Sequence, residues 1–132
     1  MVGMEDEIER IATREAPEAI GPYCQATRFG QLLFCSGQLP LDPQTGALID
    51  GDIGQLTLRC LENLTAVCDA AGTSLDRALR LTVYVCDLGR FKEVNAAYAS
   101  FFADAVPARS TVQVAALPAG APIEIDAIVA IP

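Results

Sequence analysis

The chain has 132 residues, a formal net charge of −8, a 52% share of hydrophobic residues and no histidine. The missing histidine excludes Ser-His-Asp and Cys-His nucleophiles and any imidazole metal site, and the acidity argues against a surface that tracks nucleic-acid phosphates. So much apolar surface exceeds what a chain this short can hide by itself, which predicts an oligomer.

Residues 1–7 are acidic and lack a hydrophobic stretch, so they read as a frayed leader and not as a signal peptide. From Ile8 the pattern becomes strand-like, and Ala16-Pro17 and Gly21-Pro22 then punctuate it. Gln25 to Phe29 and Leu32 to Ser36, joined at Gly30-Gln31, predict a β-hairpin. The turn formers from Leu39 to Gly46 predict a long loop. Asp52 with Gln55 three residues on resembles a capping box, and Gly72 is a natural stop. Between them Leu56, Cys60, Leu64, Val67 and Ala71 recur at helical spacing. Leu79, Leu81, Val83 and Val85 alternate with Arg80, Thr82, Tyr84 and Cys86, which predicts a two-faced strand. A second helix carries Phe91, Val94, Tyr98, Phe101 and Phe102 on one stripe and must end before Pro107. Two closing strands follow: Thr111 to Val114, and Ile123 to Val129 with Glu124 and Asp126 alternating against apolar neighbours.

This order predicts a single α+β domain over 1–132, one sheet with both helices on one face and a partner subunit against the other. The five cysteines (Cys24, Cys35, Cys60, Cys68, Cys86) are odd in number and contain no C-x-x-C. That argues against a disulfide framework or a zinc site and for a reducing, cytoplasmic setting. No apolar run reaches membrane-spanning length.

Four features stand out as candidate chemistry. Arg109, at a strand entry after Pro107 in a cation-poor chain, can hold a carboxylate by two parallel hydrogen bonds. Read singly it is equally an ordinary surface ion pair, the commoner case. Glu124, on an apolar strand, is a water-facing acid by default; on a desolvated subunit seam it becomes a proton shuttle. Asn95, on the inward stripe of the second helix, needs partners, most often as a tie to a neighbouring loop. Tyr23 and Ser36 flank the hairpin, and Gly37 lets a ligand approach the backbone; together they suggest a small anion pocket, singly they are turn residues.

Six segments then occur in order: Ile20-Gly21-Pro22-Tyr23, Ser36-Gly37-Gln38, Asp69-Ala70-Ala71-Gly72, Val94-Asn95-Ala96-Ala97-Tyr98, Pro107-Ala108-Arg109-Ser110 and Ile123-Glu124-Ile125. This set closely resembles the RidA (YjgF-type) family of reactive-intermediate deaminases over essentially the whole chain after the leader. The resemblance implies a chorismate-mutase-like fold, a six-stranded sheet with two helices, assembled as a homotrimer with a central barrel of sheets and a cleft at each subunit interface. It implies cofactor-free, metal-free hydrolysis of 2-imino acids, tautomers of enamines such as 2-aminoacrylate and 2-aminocrotonate, to 2-keto acids and ammonia. That is the activity of a 2-iminobutanoate/2-iminopropanoate deaminase. It implies Arg109, Glu124 and Tyr23 as the catalytic set, with Arg109 clamping the carboxylate and Glu124 orienting water. Ser36, Gly37, Asn95 and Thr111 are the implied substrate-binding residues.

Three departures bear on substrate preference: a short segment from Phe101 to Pro107, Cys24 and Cys35 beside Tyr23 and Ser36, and Thr111 where some relatives carry Cys. The expected partners are a small 2-imino or 2-keto acid and further copies of the chain, with no nucleic acid and no membrane. The competing reading is a regulatory trimer that binds a small carboxylate without catalysis; a ribonuclease is the least favoured, on charge and the missing histidine.

Overall fold

The computed structural model describes residues 7–132, so the expected leader lies, Glu7 apart, outside the described residues. Eight main elements follow: β1 (Glu9–Ile11), β2 (Ala26–Phe29), β3 (Leu32–Gln38), α1 (Ile53–Ala70), β4 (Ala78–Val85), α2 (Phe91–Phe102), β5 (Ala108–Gln113) and β6 (Ile123–Ala130). The strands form one six-stranded sheet in the order β1-β2-β3-β6-β4-β5. All neighbours are antiparallel except β4 and β5. A parallel pair needs a crossover, and α2 supplies it.

Helix α1 begins as its capping box dictates. Gln55 N donates to Asp52 Oδ1 at 2.9 Å, and Asp52 N donates to Gln55 Oε1 at 2.9 Å. Its end turns at Gly72, whose φ of +80° suits glycine. Leu61, Leu64, Val67, Cys60 and Cys68 are fully buried against Leu33, Leu81, Val83, Ile123, Ile125 and Val129 of the sheet. Val94, Tyr98 and Phe102 bring α2 into the same core. The two buried thiols thus serve as small core fillers.

One alternating position departs from the expected pattern. The β4–β6 register slips between Ala78 and Arg80, and Leu79, expected inward, is 50% exposed. The extra residue of a bulge loses its place in the pleat.

The sheet's other surface, here its outer face, has no layer of its own among the described residues. Leu32, Phe34, Phe29 and Val112 are exposed there, beside the half-buried Ser36, Tyr84, Glu124, Asp126 and Ile128. An apolar sheet face left open in this way is what a second copy of the chain would cover.

Buried amides pin the long loops. Asn63 of α1, wholly buried, donates through Nδ2 to the carbonyls of Leu39 (3.1 Å) and Leu41 (3.0 Å) and accepts from Arg59 Nε at 3.1 Å. Gln25 accepts from Thr13 N at 2.7 Å and donates to the carbonyls of Thr13, Ala16 and Pro17. Asn63→Ala strands two buried carbonyls, so the unfolding free energy in urea falls by about 2–3 kcal/mol with helix content retained.

Candidate functional site

Arg109 lies on β5, paired in register with Leu81, and Thr111 with Val83. Leu81 and Val83 are buried under the helices, so Arg109 and Thr111 project to the helix side. The guanidinium meets a prepared bed. Its Nη2 donates to Asn95 Oδ1 at 2.8 Å, and its central carbon sits 4.7 Å from the Tyr98 ring centroid and 5.6 Å from that of Phe91. Phe91, Asn95 and Tyr98 are spaced i, i+4, i+7, which puts all three on one flank of α2. No carboxylate of the described residues forms an ion pair with Arg109; the ion pairs present join Arg59 to Glu62 and Arg90 to Glu93. The cation is therefore held in place without being neutralised. Beside it opens a depression of about 550 Å³ lined by Leu88, Phe91, Arg109 and Thr111. The Tyr98 hydroxyl and Thr111 Oγ1 are buried nearby with no hydrogen-bond partner. Burial raises the Tyr98 pKa, which the charge of Arg109 partly offsets.

Glu124 lies elsewhere. On β6 it pairs with Tyr84, and Asp126 pairs with Thr82, so both acids project from the outer face. The pKa of Glu124 is raised, first by burial and then by the charge of Asp126. Its carboxylate fits against Gly37, where a Cβ would come within 2.5 Å of Glu124 Oε2. The register of β3 on β6 shifts between Cys35 and Gln38, and this irregularity brings Gly37 beside the acid. Gly37 was expected to give a ligand access to backbone; within the chain it makes room for Glu124.

Ser36 and Tyr23 belong to the same side. Ser36 Oγ donates to the Cys24 carbonyl at 2.7 Å, so its proton is committed to tying β3 to the preceding loop while its lone pairs remain open. Tyr23 is 48% exposed, accepts from Ile20 N at 3.3 Å and lines a narrow crevice with Gly37, Gln38 and Leu39.

The seven expected residues thus form two groups. Arg109, Asn95 and Thr111 gather on the helix side; Tyr23, Ser36, Gly37 and Glu124 gather at the outer face. Within one chain Arg109 and Glu124 face opposite compartments, so they meet only if a second copy brings its Arg109 to the first copy's Glu124. Asn95 ties its helix to Arg109 and not to a loop. Phe91 and Tyr98, read from sequence as core stripe alone, are the rings under the guanidinium. The signal available for them was an amide midway between two aromatics on one helical flank. Among the described residues no cluster of three metal-ligating side chains occurs.

A profile of the endoribonuclease L-PSP family matches residues 13–131. The RutC family protein y4sK of Sinorhizobium fredii is 46% identical over 124 residues, which span 94% of this chain and 98% of that one. The 2-iminobutanoate/2-iminopropanoate deaminase of Salmonella typhimurium is 46% identical over 121 residues, covering 89% and 94% respectively. The solved structure of E. coli TdcF with bound serine matches with a TM-score of 0.89 at 40% identity, over 94% of this chain and 99% of that one.

The close fit of Glu124 to Gly37 gives a direct test. In Gly37→Ala the new Cβ meets a side-chain end and not backbone, so the carboxylate swings toward water and stability changes by less than about 1 kcal/mol. Relieved of burial, Glu124 releases its proton at lower pH than in the unmodified chain, as read by a carboxyl-carbon NMR titration.

Proposed function

Since the chain belongs to the endoribonuclease L-PSP family, we propose that it is a cofactor-independent hydrolase of small 2-imino acids, working at sites shared between copies of the chain. The observation that carries this reading is Arg109, an unneutralised guanidinium fixed over two aromatic rings. A planar fork so held binds a carboxylate through two parallel hydrogen bonds, whereas a lysine offers only a point charge. The name of the Salmonella relative supplies the imine chemistry, and the serine bound to TdcF is an acid of suitable size.

The reaction asks little of the protein. An imine carbon is already electrophilic, so the steps are to fix the acid, deliver water and return a proton. Arg109 of one copy holds the substrate carboxylate. Glu124 of a neighbouring copy accepts a proton as water oxygen bonds to the imine carbon. It passes that proton to nitrogen to give the carbinolamine, then carries the carbinolamine hydroxyl proton to the same nitrogen as the C=O bond forms and the C–N bond breaks. The products are the 2-keto acid and ammonia. Burial of Glu124 suits this double duty, because a carboxyl that holds its proton more tightly is the better base toward water and still returns the proton. Gly37 abuts that carboxyl, Tyr23 and Ser36 lie on the same side of the sheet, and Asn95 and Thr111 accompany the guanidinium.

We take the assembly to be a homotrimer whose outer sheet faces meet, which would cover Phe34, Leu32 and Val112. The free thiols suit a reducing compartment such as the cytoplasm, and no helix among the described residues is long and apolar enough to cross a membrane.

The assay generates 2-aminocrotonate in situ and follows the keto acid. Arg109→Lys lowers kcat/KM about 100-fold, and Glu124→Gln lowers kcat by about 10²–10⁴. Arg109→Ala and Glu124→Gln chains, dissociated and reassembled as an equal mixture, regain about a quarter of the original sites, because one chain supplies Arg109 and its neighbour Glu124. No acceleration over buffer, with a keto acid still bound, leaves the regulatory carboxylate binder in its place. Loss in both variants without recovery on mixing rules out the shared site.

A further inference from the structure

Glu124 has an acidic companion that the reaction as written does not use. Asp126 follows it by two residues on β6 and therefore leaves the sheet from the same side. Tyr84 lies directly across from Glu124, and Thr82 across from Asp126. The Tyr84 hydroxyl nevertheless reaches the diagonal acid and donates to Asp126 Oδ2 at 3.0 Å. An aromatic side chain reaches the diagonal position of an antiparallel pair without strain. The phenol thus ties its strand to Asp126 and fixes where the charge of Asp126 sits.

We propose that Tyr84 and Asp126 are positioning residues that set how tightly Glu124 holds its proton. The inference rests on reading Glu124 as the carboxyl that handles water. Consider what faces that carboxyl. From β3 come Ser36 and Gly37, neither charged. From β4 comes Tyr84, whose own pKa is raised by burial and by its bond to Asp126. From α1, beneath the sheet, comes Cys60, a buried thiol held neutral by desolvation. No cation of the described residues forms an ion pair with Glu124. Among the described residues, Asp126 is therefore the formal charge that raises it, and like charges favour the protonated acid. Tyr84, by donating to Asp126, draws off part of that negative charge and moderates the effect. The Arg109 of a neighbouring copy acts in the opposite direction, equally in every variant compared.

Asp126→Asn deletes the like charge while keeping an oxygen for the Tyr84 hydroxyl. Glu124 then ionises more readily, and the acid limb of kcat/KM moves to lower pH. Tyr84→Phe removes the donor, leaves the Asp126 charge undiminished and moves the limb to higher pH. A purely structural role lowers activity in both variants but cannot shift the profile in opposite directions.

The experiment pairs pH profiles of the full chain with a carboxyl-carbon NMR titration of Glu124 in the unmodified protein, Asp126→Asn and Tyr84→Phe. Opposite shifts in the two variants, seen by both methods, are the expected result. If Glu124 titrates identically in all three, the inference is overturned, whatever Glu124→Gln does to activity. If Glu124→Gln retains full activity while the titrations shift as expected, the proposed reaction fails and the tuning by Asp126 stands.

Discussion

Neighbouring strands keep their side chains in step, so the pairing of Arg109 with Leu81 and of Glu124 with Tyr84 assigns the two charges to opposite sides of one sheet. Neither can cross without a slip of register that would also turn Leu81, Val83, Ile123 and Ile125 out of the core. The separation is therefore held by the whole hydrophobic layer and not by local contacts at either residue. Each half is finished within its own chain. Phe91, Asn95 and Tyr98 seat the guanidinium, while Gly37, Tyr84 and Asp126 surround the acid. In the proposed reaction a second copy has only to bring two completed halves together.

The two halves are built on opposite electrostatic principles. The Arg109 guanidinium is seated by soft partners: an amide oxygen and two ring faces, each worth on the order of 1 kcal/mol, with no carboxylate among the described residues paired to it. Glu124 is placed where its charge is disfavoured, half-buried beside another acid. A fold can carry such a group because its stability comes from elsewhere, from α1 packed on the sheet. The deaminase reading needs both: a permanent cation to hold a substrate, and an acid reluctant to stay ionised to move protons.

Much of the fold was legible in the sequence. The Asp52–Gln55 box and Gly72 delimit α1, and Gly30-Gln31 marks the hairpin. What could not be read was long-range: β6, last in sequence, inserts between β3 and β4, and β5 runs parallel to β4. Local pattern carries no information on such pairings. Leu79 was misplaced because a bulge does not announce itself in an alternating run. The candidate site was legible mainly through the ordered motifs resembling the RidA family. Alternation places Glu124 on the strand's less apolar side, but the irregularity at Ser36 and Gly37 that gives it a niche comes from another strand. Phe91 and Tyr98 were hidden by their apolar stripe, which predicts burial and is silent about a cation resting on it.

The Arg109 guanidinium sits in a chain of net charge −8, and this combination has a consequence for ionic strength. At low salt the acidic surface repels an incoming carboxylate long before it feels Arg109. Dissolved ions damp fields beyond a Debye length of about 10 Å at 0.1 M, while short contacts inside a partly enclosed seat are far less affected. Moderate salt will therefore quicken capture of the anion before any competition from chloride sets in, the reverse of the behaviour of a protein that draws its anions in with a basic surface.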